Sequence, residues 1–351
     1  MNLYATNIRM ATSGSERIVS MDYVKAVSIF LVLLSHTSVP FRLSVWINEF
    51  HVPLFFFASG FLFSFRGNPH TAAYIRKRAR QLLLPFICIG IVSYVFWLFA
   101  GRHYGSDAQS AVAWYDPLLS SLYGNTDGMV HNLPLWFFPS LFMVSAVCHV
   151  LLRSARRRML PPVFLLAGYA VYRFAPDMPF LVGQSLVMAA FYSFGYICRE
   201  KFGNESGAIG GNRRAHLSYW WALLFVPLTL AGVFINDKVA VYHNYYGCYP
   251  WFVVFALSGI ITSILLCRWL GSTFGQNVLV RSVSDNTLAI CGFHLMTYSV
   301  LKGIACYGLG IDMAVFAGTL FPNLLLASAS ICMCLPLAVF IRRHAPWMIG
   351  V

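Results

Sequence analysis

Charge is what this chain has least of. Only 11% of its 351 residues are Asp, Glu, Lys or Arg, and acids supply just 12 of them. A soluble domain needs far more charge than this to cover its surface, so a chain that is 58% hydrophobic with mean hydropathy +0.66 is a polytopic membrane protein. Cysteine chemistry is also absent in any organised form. The nine cysteines lie mostly inside apolar runs (Cys88, Cys148, Cys198, Cys267, Cys291, Cys306, Cys332, Cys334) with no metal-site spacing and no even framework on one loop, so they read as small buried hydrophobes. There is no internal repeat and no low-complexity tract. The first eighteen residues form a polar tail without the apolar core and small-residue cleavage site of a signal peptide, and the first span is expected to be retained as a signal anchor. No stretch reads as a soluble appendage, so residues 1–351 are taken as a single integral-membrane domain with any active site inside it.

What remains is long apolar runs. A span needs about 20 apolar residues, fewer when neighbours shield it, and ten segments satisfy that ruler. They are Val19–Val39, Phe50–Phe65, Leu82–Ala100, Leu133–Leu152, Pro161–Phe174, Phe180–Cys198, Leu217–Ile235, Pro250–Trp269, Asp285–Lys302 and Ala314–Ile341. The fifth is short. The last is long enough to be tilted, or broken near Pro322 or Pro336. The net charge of +13 raises the question of a nucleic-acid partner, but the bases sit in short clusters between apolar runs instead of on one soluble face, so no nucleic acid is expected. Lys and Arg gather in cytoplasmic loops. With the N-terminus inside, ten spans put 19 bases on the cytoplasmic side and 5 on the other, Lys25 lying within a helix. One span more or fewer would invert every later loop and destroy this bias. The expected fold is therefore an all-α polytopic bundle of about ten transmembrane helices with both termini cytoplasmic. The longest outward segment, Gly101–Asn132, carries Asp107, Asp116, Asp127 and His131 and is long enough to be functional.

The stretch Met21–Phe65 holds the densest intramembrane chemistry. Lys25 and His36 are eleven residues apart, which on an α-helix puts them within about 20° of one face and roughly 16 Å apart along the axis. Asp22 lies three residues before Lys25 and joins that stripe. Ionisable groups in a span cost several kcal/mol unless they pair or face a polar cavity, so three on one stripe mark a site. A neutral imidazole suits proton removal near neutral pH, which makes His36 the candidate base; a histidine merely satisfied by a neighbouring helix is the ordinary alternative. Lys25 and Asp22 are expected to pair near the cytoplasmic end, either as a structural ion pair or beside a ligand. Arg76, Lys77, Arg78 and Arg80 precede the third span. Ordinary topology and lipid contact account for such a cluster, and so does phosphate binding. Ser59 and Gly60 in FFFASGF offer a small pair where helices approach or a slender ligand passes. His51 opens the second span on the outward side. Trp136 fits an interfacial aromatic belt, with stacking on a sugar ring as the other reading, and His294 sits mid-span where it must face protein or cavity.

These residues carry a resemblance. MDYVKAVSIFLVLLSH at 21–36, FHVPLFFFASGFLFS at 50–64, YIRKRARQLLLPF at 74–86 and LPLWFFPSLF at 133–142, with weaker echoes in FYSFGYICR at 191–199 and SDNTLAICGFHLM at 284–296, resemble the acyltransferase-3 family of integral-membrane O-acyltransferases, its fucose 4-O-acetylase-like branch in particular. The family's basic residue, ten positions, then histidine maps onto Lys25 and His36, with Lys where most members carry Arg, so the bidentate fork is lost. The resemblance implies a ten-span core in the plasma membrane, a bacterial inner membrane. It implies acetyl-CoA (acyl-CoA) as donor without a metal, and transfer to a hydroxyl of a cell-surface polysaccharide or a lipid-linked saccharide precursor. On it, His36, Lys25 and Asp22 are the catalytic candidates; Arg76, Arg78, Arg80 and Ser59 would hold the CoA; His51, Trp136 and His294 would face the acceptor. An acetyl-histidine intermediate is an alternative to direct transfer. Membrane lipid, the donor and the glycan are the expected partners, and a homo-oligomer is compatible with all of this. A transporter of a polar or anionic solute is the rival class, although the paired broken helices and repeated halves common in transporters are missing.

Overall fold

A short turn that ends on a proline separates the first two helices. α1 (Val19–Ser35) ends as His36 leaves helical geometry (φ −92°, ψ 7°), and α2 (Phe41–Leu62) starts directly after Pro40, whose fixed φ suits a helix entry. The computed structural model describes residues 17–104, 112–202 and 218–350. The tail before Arg17, Arg9, Asp107, Arg213, Arg214 and the first residue of the seventh expected span lie outside the described residues. Among the described residues the elements are helical, with only an isolated bridge between Ala240 and Tyr245. α3 (Thr71–Phe99), α4 (Asp116–Tyr123), α5 (Phe137–Leu151), α6 (Leu160–Phe174), α7 (Val182–Phe202), α8 (Ala222–Ile235), α9 (Tyr249–Phe274), α10 (Val278–Asp285), α11 (Thr287–Gly303) and α12 (Phe321–His344) follow. Backbone amides have no water to bond inside a bilayer, and helices satisfy them within each segment.

Each of the ten apolar segments overlaps one of these helices over most of its length, while α4 and α10 are short extras. Among the described residues six stretches, Phe41–Leu62, Thr71–His103, Leu133–Leu151, Tyr249–Phe274, Thr287–Gly308 and Phe321–His344, are long and apolar enough to cross a membrane.

The helix ends depart from the sequence expectations for physical reasons. α2 begins nine residues before Phe50, because its first turns carry Arg42, Ser44, Asn48 and Glu49 and so look like a loop by hydropathy. α3 begins at Thr71, not Leu82, its opening turns being the basic cluster itself. α7 cannot include Phe180 or Leu181, both at φ 60°. The last helix starts at Phe321 with Pro322 in its first turn, where the missing N–H leaves no intrahelical bond unmade; Met313–Phe316 form a separate 3₁₀ turn. Pro336 lies inside α12 without ending it.

Contacts between helix ends show which of them share one face of the bundle. Arg17 donates to Asp285, Arg342 to the Asp285 carbonyl, Arg199 to the carbonyls of Phe61, Leu62 and Phe63, and Arg153 to the Pro69 carbonyl. This is the basic end. At the opposite end Asn323 donates to the Ser38 carbonyl, and Thr126 and Gln184 both donate to the Tyr242 carbonyl. In the core, α2 and α7 meet backbone to backbone: a methyl group added at Gly60 would overlap the Tyr192 carbonyl, and only glycine allows that approach.

Candidate active site

α1, α2, α3 and α11 enclose a cavity of about 540 Å³. At the basic end its wall includes Arg78, Asp285, Arg342 and Gly350; at the opposite end it includes Ser44, Lys238 and Tyr242. Between these extremes lie Lys25, His36, His51, Ser59 and Trp136. The eleven-residue stripe on α1 therefore looks into this space and not outward at lipid.

His36 occupies the last turn of α1. Its amide donates to the carbonyls of Leu33 and Val32, which closes the helix, and the Tyr298 hydroxyl donates to the Leu33 carbonyl at 2.7 Å and so ties this end of α1 to α11. His51 is buried in the cavity wall, and its Nδ1 lies 2.8 Å from the Ile47 carbonyl. A carbonyl only accepts, so Nδ1 carries the hydrogen and Nε2 keeps a free lone pair. Trp136 is buried at the end of a 3₁₀ turn, Leu133–Trp136, and faces the cavity instead of standing in an interfacial belt. Asn132 anchors that turn by donating to the Gly292 carbonyl on α11 at 2.7 Å.

His294 is fully buried and lies outside the cavity wall. Its ring centre is 5.2 Å from that of His36, directly behind it. Ser59 and Gly60 divide the two roles foreseen for the pair: Ser59 lines the cavity and Gly60 makes the α2–α7 contact.

The charged residues sort differently from the sequence expectation. Asp22 does not pair with Lys25. It binds Arg17 (2.6 and 2.9 Å) and accepts the Ser284 hydroxyl at 2.7 Å, because three residues along a helix turn it toward α10. Arg17 also reaches Asp285, and hydrogen bonding to Asp22 holds its guanidinium more firmly charged than usual. Among the described residues no carboxylate lies within salt-bridge distance of the Lys25 ammonium, which faces the cavity. Of the basic cluster only Arg78 reaches the wall, half-buried and hydrogen-bonded to Ser145 and Gln81 (both 3.3 Å); Arg76 and Arg80 are exposed.

Several wall residues carried no signal in the sequence. Asn48 and Lys238 sit in polar segments that hydropathy reads as loop ends, and Arg342 reads as a topology signal. Glu49, next to Asn48, is fully buried against Gly232 of α8. Among the described residues, no group of three His, Cys, Asp or Glu side chains is placed to hold a metal.

The arrangement joins basic groups at one end, a histidine partway along and an aromatic and polar wall beyond it, which can hold a long anionic ligand and a hydroxylic one in one space. No match is found among curated proteins or solved structures. A family model described as an acyltransferase domain matches residues 18–343, nearly the whole chain, and on that match the protein belongs to the acyltransferase-3 family.

Proposed function

We propose that this membrane acyltransferase moves an acetyl group from cytoplasmic acetyl-CoA to a hydroxyl of a cell-surface polysaccharide or its lipid-linked saccharide precursor, in a bacterial inner membrane, with His36 as general base. The supporting observation is the cavity that reaches from the basic end past His36 to the opposite end. Here the basic end is cytoplasmic, in keeping with the distribution of Lys and Arg.

CoA enters with its phosphates near Arg78, Arg342 and Lys25, since guanidinium and ammonium groups bind phosphate oxygens. Its pantetheine arm runs along Ser59 and delivers the thioester to His36. The acceptor sugar comes from the other side, between Trp136, His51 and Lys238. The unprotonated ring nitrogen of His36 takes the hydroxyl proton as the oxygen attacks the thioester carbonyl. The C–S bond then breaks, and the imidazolium returns the proton to the departing CoA thiolate.

A positioned base contributes roughly 10²- to 10⁴-fold to such a step. His36→Ala is therefore expected to abolish glycan acetylation, read by mass spectrometry of surface glycans, while the purified variant still binds acetyl-CoA. Retained acetylation removes His36 from the chemistry. If the wild-type protein neither binds acetyl-CoA nor turns over its thioester with any acceptor, a solute transporter becomes the better reading.

A further inference from the structure

The His36–His294 pair contains a feature that acyl transfer by a single base does not require. His294 Nδ1 lies 2.8 Å from the Cys291 carbonyl and 3.3 Å from that of Ile290. Both partners only accept, so Nδ1 carries the hydrogen and Nε2 must be a bare acceptor. That Nε2 is buried and has no partner of its own, although a buried acceptor left unsatisfied is costly. The His36 ring is the neighbouring imidazole, 5.2 Å away between centres with the planes tilted by 46°, a separation that leaves room for one N–H···N hydrogen bond once the His36 ring turns toward that Nε2. His294 is held fast: Thr297 donates to the His294 carbonyl and meets Ser330 of α12, and Tyr298 stands edge-on to the ring. Tyr298 also holds the end of α1 through the Leu33 carbonyl, so a single stretch of α11 fixes the His294 ring and the backbone turn that carries His36.

We propose that His294 is a positioning residue that accepts the N–H of His36 on its bare Nε2. It selects the His36 tautomer whose lone pair points into the cavity and supports the imidazolium formed during transfer. This rests on the reading of His36 as the base. No proton passes to His294, whose Nδ1 keeps its own hydrogen and donates it to the Cys291 carbonyl; the proton taken from the sugar hydroxyl stays on His36 until the CoA thiolate receives it. An acceptor is all the role demands, so a side chain with a well-placed carbonyl oxygen should serve in its place, whereas an aromatic ring without one should not.

The test compares His294→Phe and His294→Gln with wild type and with His36→Ala, in membrane vesicles from the producing cells, with acetyl-CoA as donor and thiol release plus glycan acetylation as readouts. His294→Phe is expected to lose roughly 10- to 100-fold in kcat, as removal of an orienting partner typically does, with KM for acetyl-CoA unchanged because His294 is not in the cavity wall. His294→Gln is expected to recover most of that loss through its amide oxygen. Wild-type kcat in a folded His294→Phe protein beside an inactive His36→Ala overturns the role of His294 alone. Activity in His36→Ala overturns the reading beneath it. Should His294→Phe fail to fold, a folded His294→Gln protein that binds acetyl-CoA yet is slowed tenfold or more overturns the acceptor role by itself.

Discussion

Asp22 on α1 accepts the hydroxyl of Ser284 on α10 at 2.7 Å, and so belongs to a latch between the two helices instead of to the cation one turn above it. Arg17 completes the latch by bridging Asp22 and Asp285, and Arg342 binds the Asp285 carbonyl and Asn286 beside it. Because Asp285, Asn286 and Arg342 line the basic mouth of the cavity, the latch shapes that mouth, which is the donor's entrance in the proposed reaction. Asp22→Ala removes charge-assisted bonds at a partly exposed site, each worth at most about 1.5–3 kcal/mol and less after solvent screening. The expected outcome is a lower Tm and a several-fold higher KM for acetyl-CoA, with kcat changed less than threefold. A collapse of kcat at unchanged KM would return Asp22 to the chemistry.

Arg78 and Arg80 allow a proposed ligand contact to be tested against a topology signal. Arg78 is half-buried in the cavity wall and steadied by Ser145 and Gln81, whereas Arg80 is exposed away from it. Removing one guanidinium–phosphate contact costs about 1.5–3 kcal/mol, roughly 10- to 100-fold. Arg78→Ala is expected to weaken acetyl-CoA binding by that factor and Arg80→Ala by less than threefold, both measured by calorimetry on detergent-purified protein. Equal effects would show that the phosphates lie on the surface of the cluster and not inside the cavity.

How much of this was legible in the sequence follows from the kind of signal each feature leaves. Apolar runs are long-range and redundant, so every expected segment falls on a helix, but their ends are not: Asn48 and Glu49 are polar and helical, and Phe180 is apolar and outside α7. The Lys25–His36 stripe was readable because both residues share one helix, where spacing alone sets direction. Partners on other helices leave no such trace. Nothing in the chain order brings Ser284 to Asp22 or His294 behind His36, separations of 262 and 258 residues that only packing closes. Trp136 stayed open between two readings for a related reason, since an aromatic at a helix start looks the same facing lipid or a cavity.

Gly60 and Ser59 are neighbours with opposite expected sensitivities. A side chain at Gly60 runs into the Tyr192 backbone, which cannot move as a flexible side chain would. Overpacking of this kind costs typically 1–3 kcal/mol, so Gly60→Ala is expected to lower Tm by several degrees and to separate α2 from α7. Ser59→Ala removes only a hydroxyl from the cavity wall and should leave Tm within a degree or two while changing KM for acetyl-CoA. Thermal melts of the two variants in one detergent give the comparison, and a tolerated Gly60→Ala would mean that the α2–α7 contact yields more easily than the geometry implies.

His131 supplies a pH dependence that is separate from catalysis. It lies in the segment before α5, next to the Asn132 that anchors the Trp136 turn, and burial against Tyr94 pushes its pKa down to about 4 while Nδ1 has no partner. An unfolded histidine titrates near 6.5, so the native form refuses a proton that the unfolded form accepts as pH falls below that value. Stability attributable to this residue is whole above about 6.5 and is lost between there and about 4, at a rate approaching 1.4 kcal/mol per pH unit if burial acts in full. Lowering the pH from 7.5 to 5 should therefore reduce Tm, and His131→Phe, which cannot ionise, should flatten that part of the dependence without altering the acetyl-CoA KM at pH 7.5. Identical Tm-against-pH curves for wild type and His131→Phe would show that the acid sensitivity arises elsewhere in the bundle.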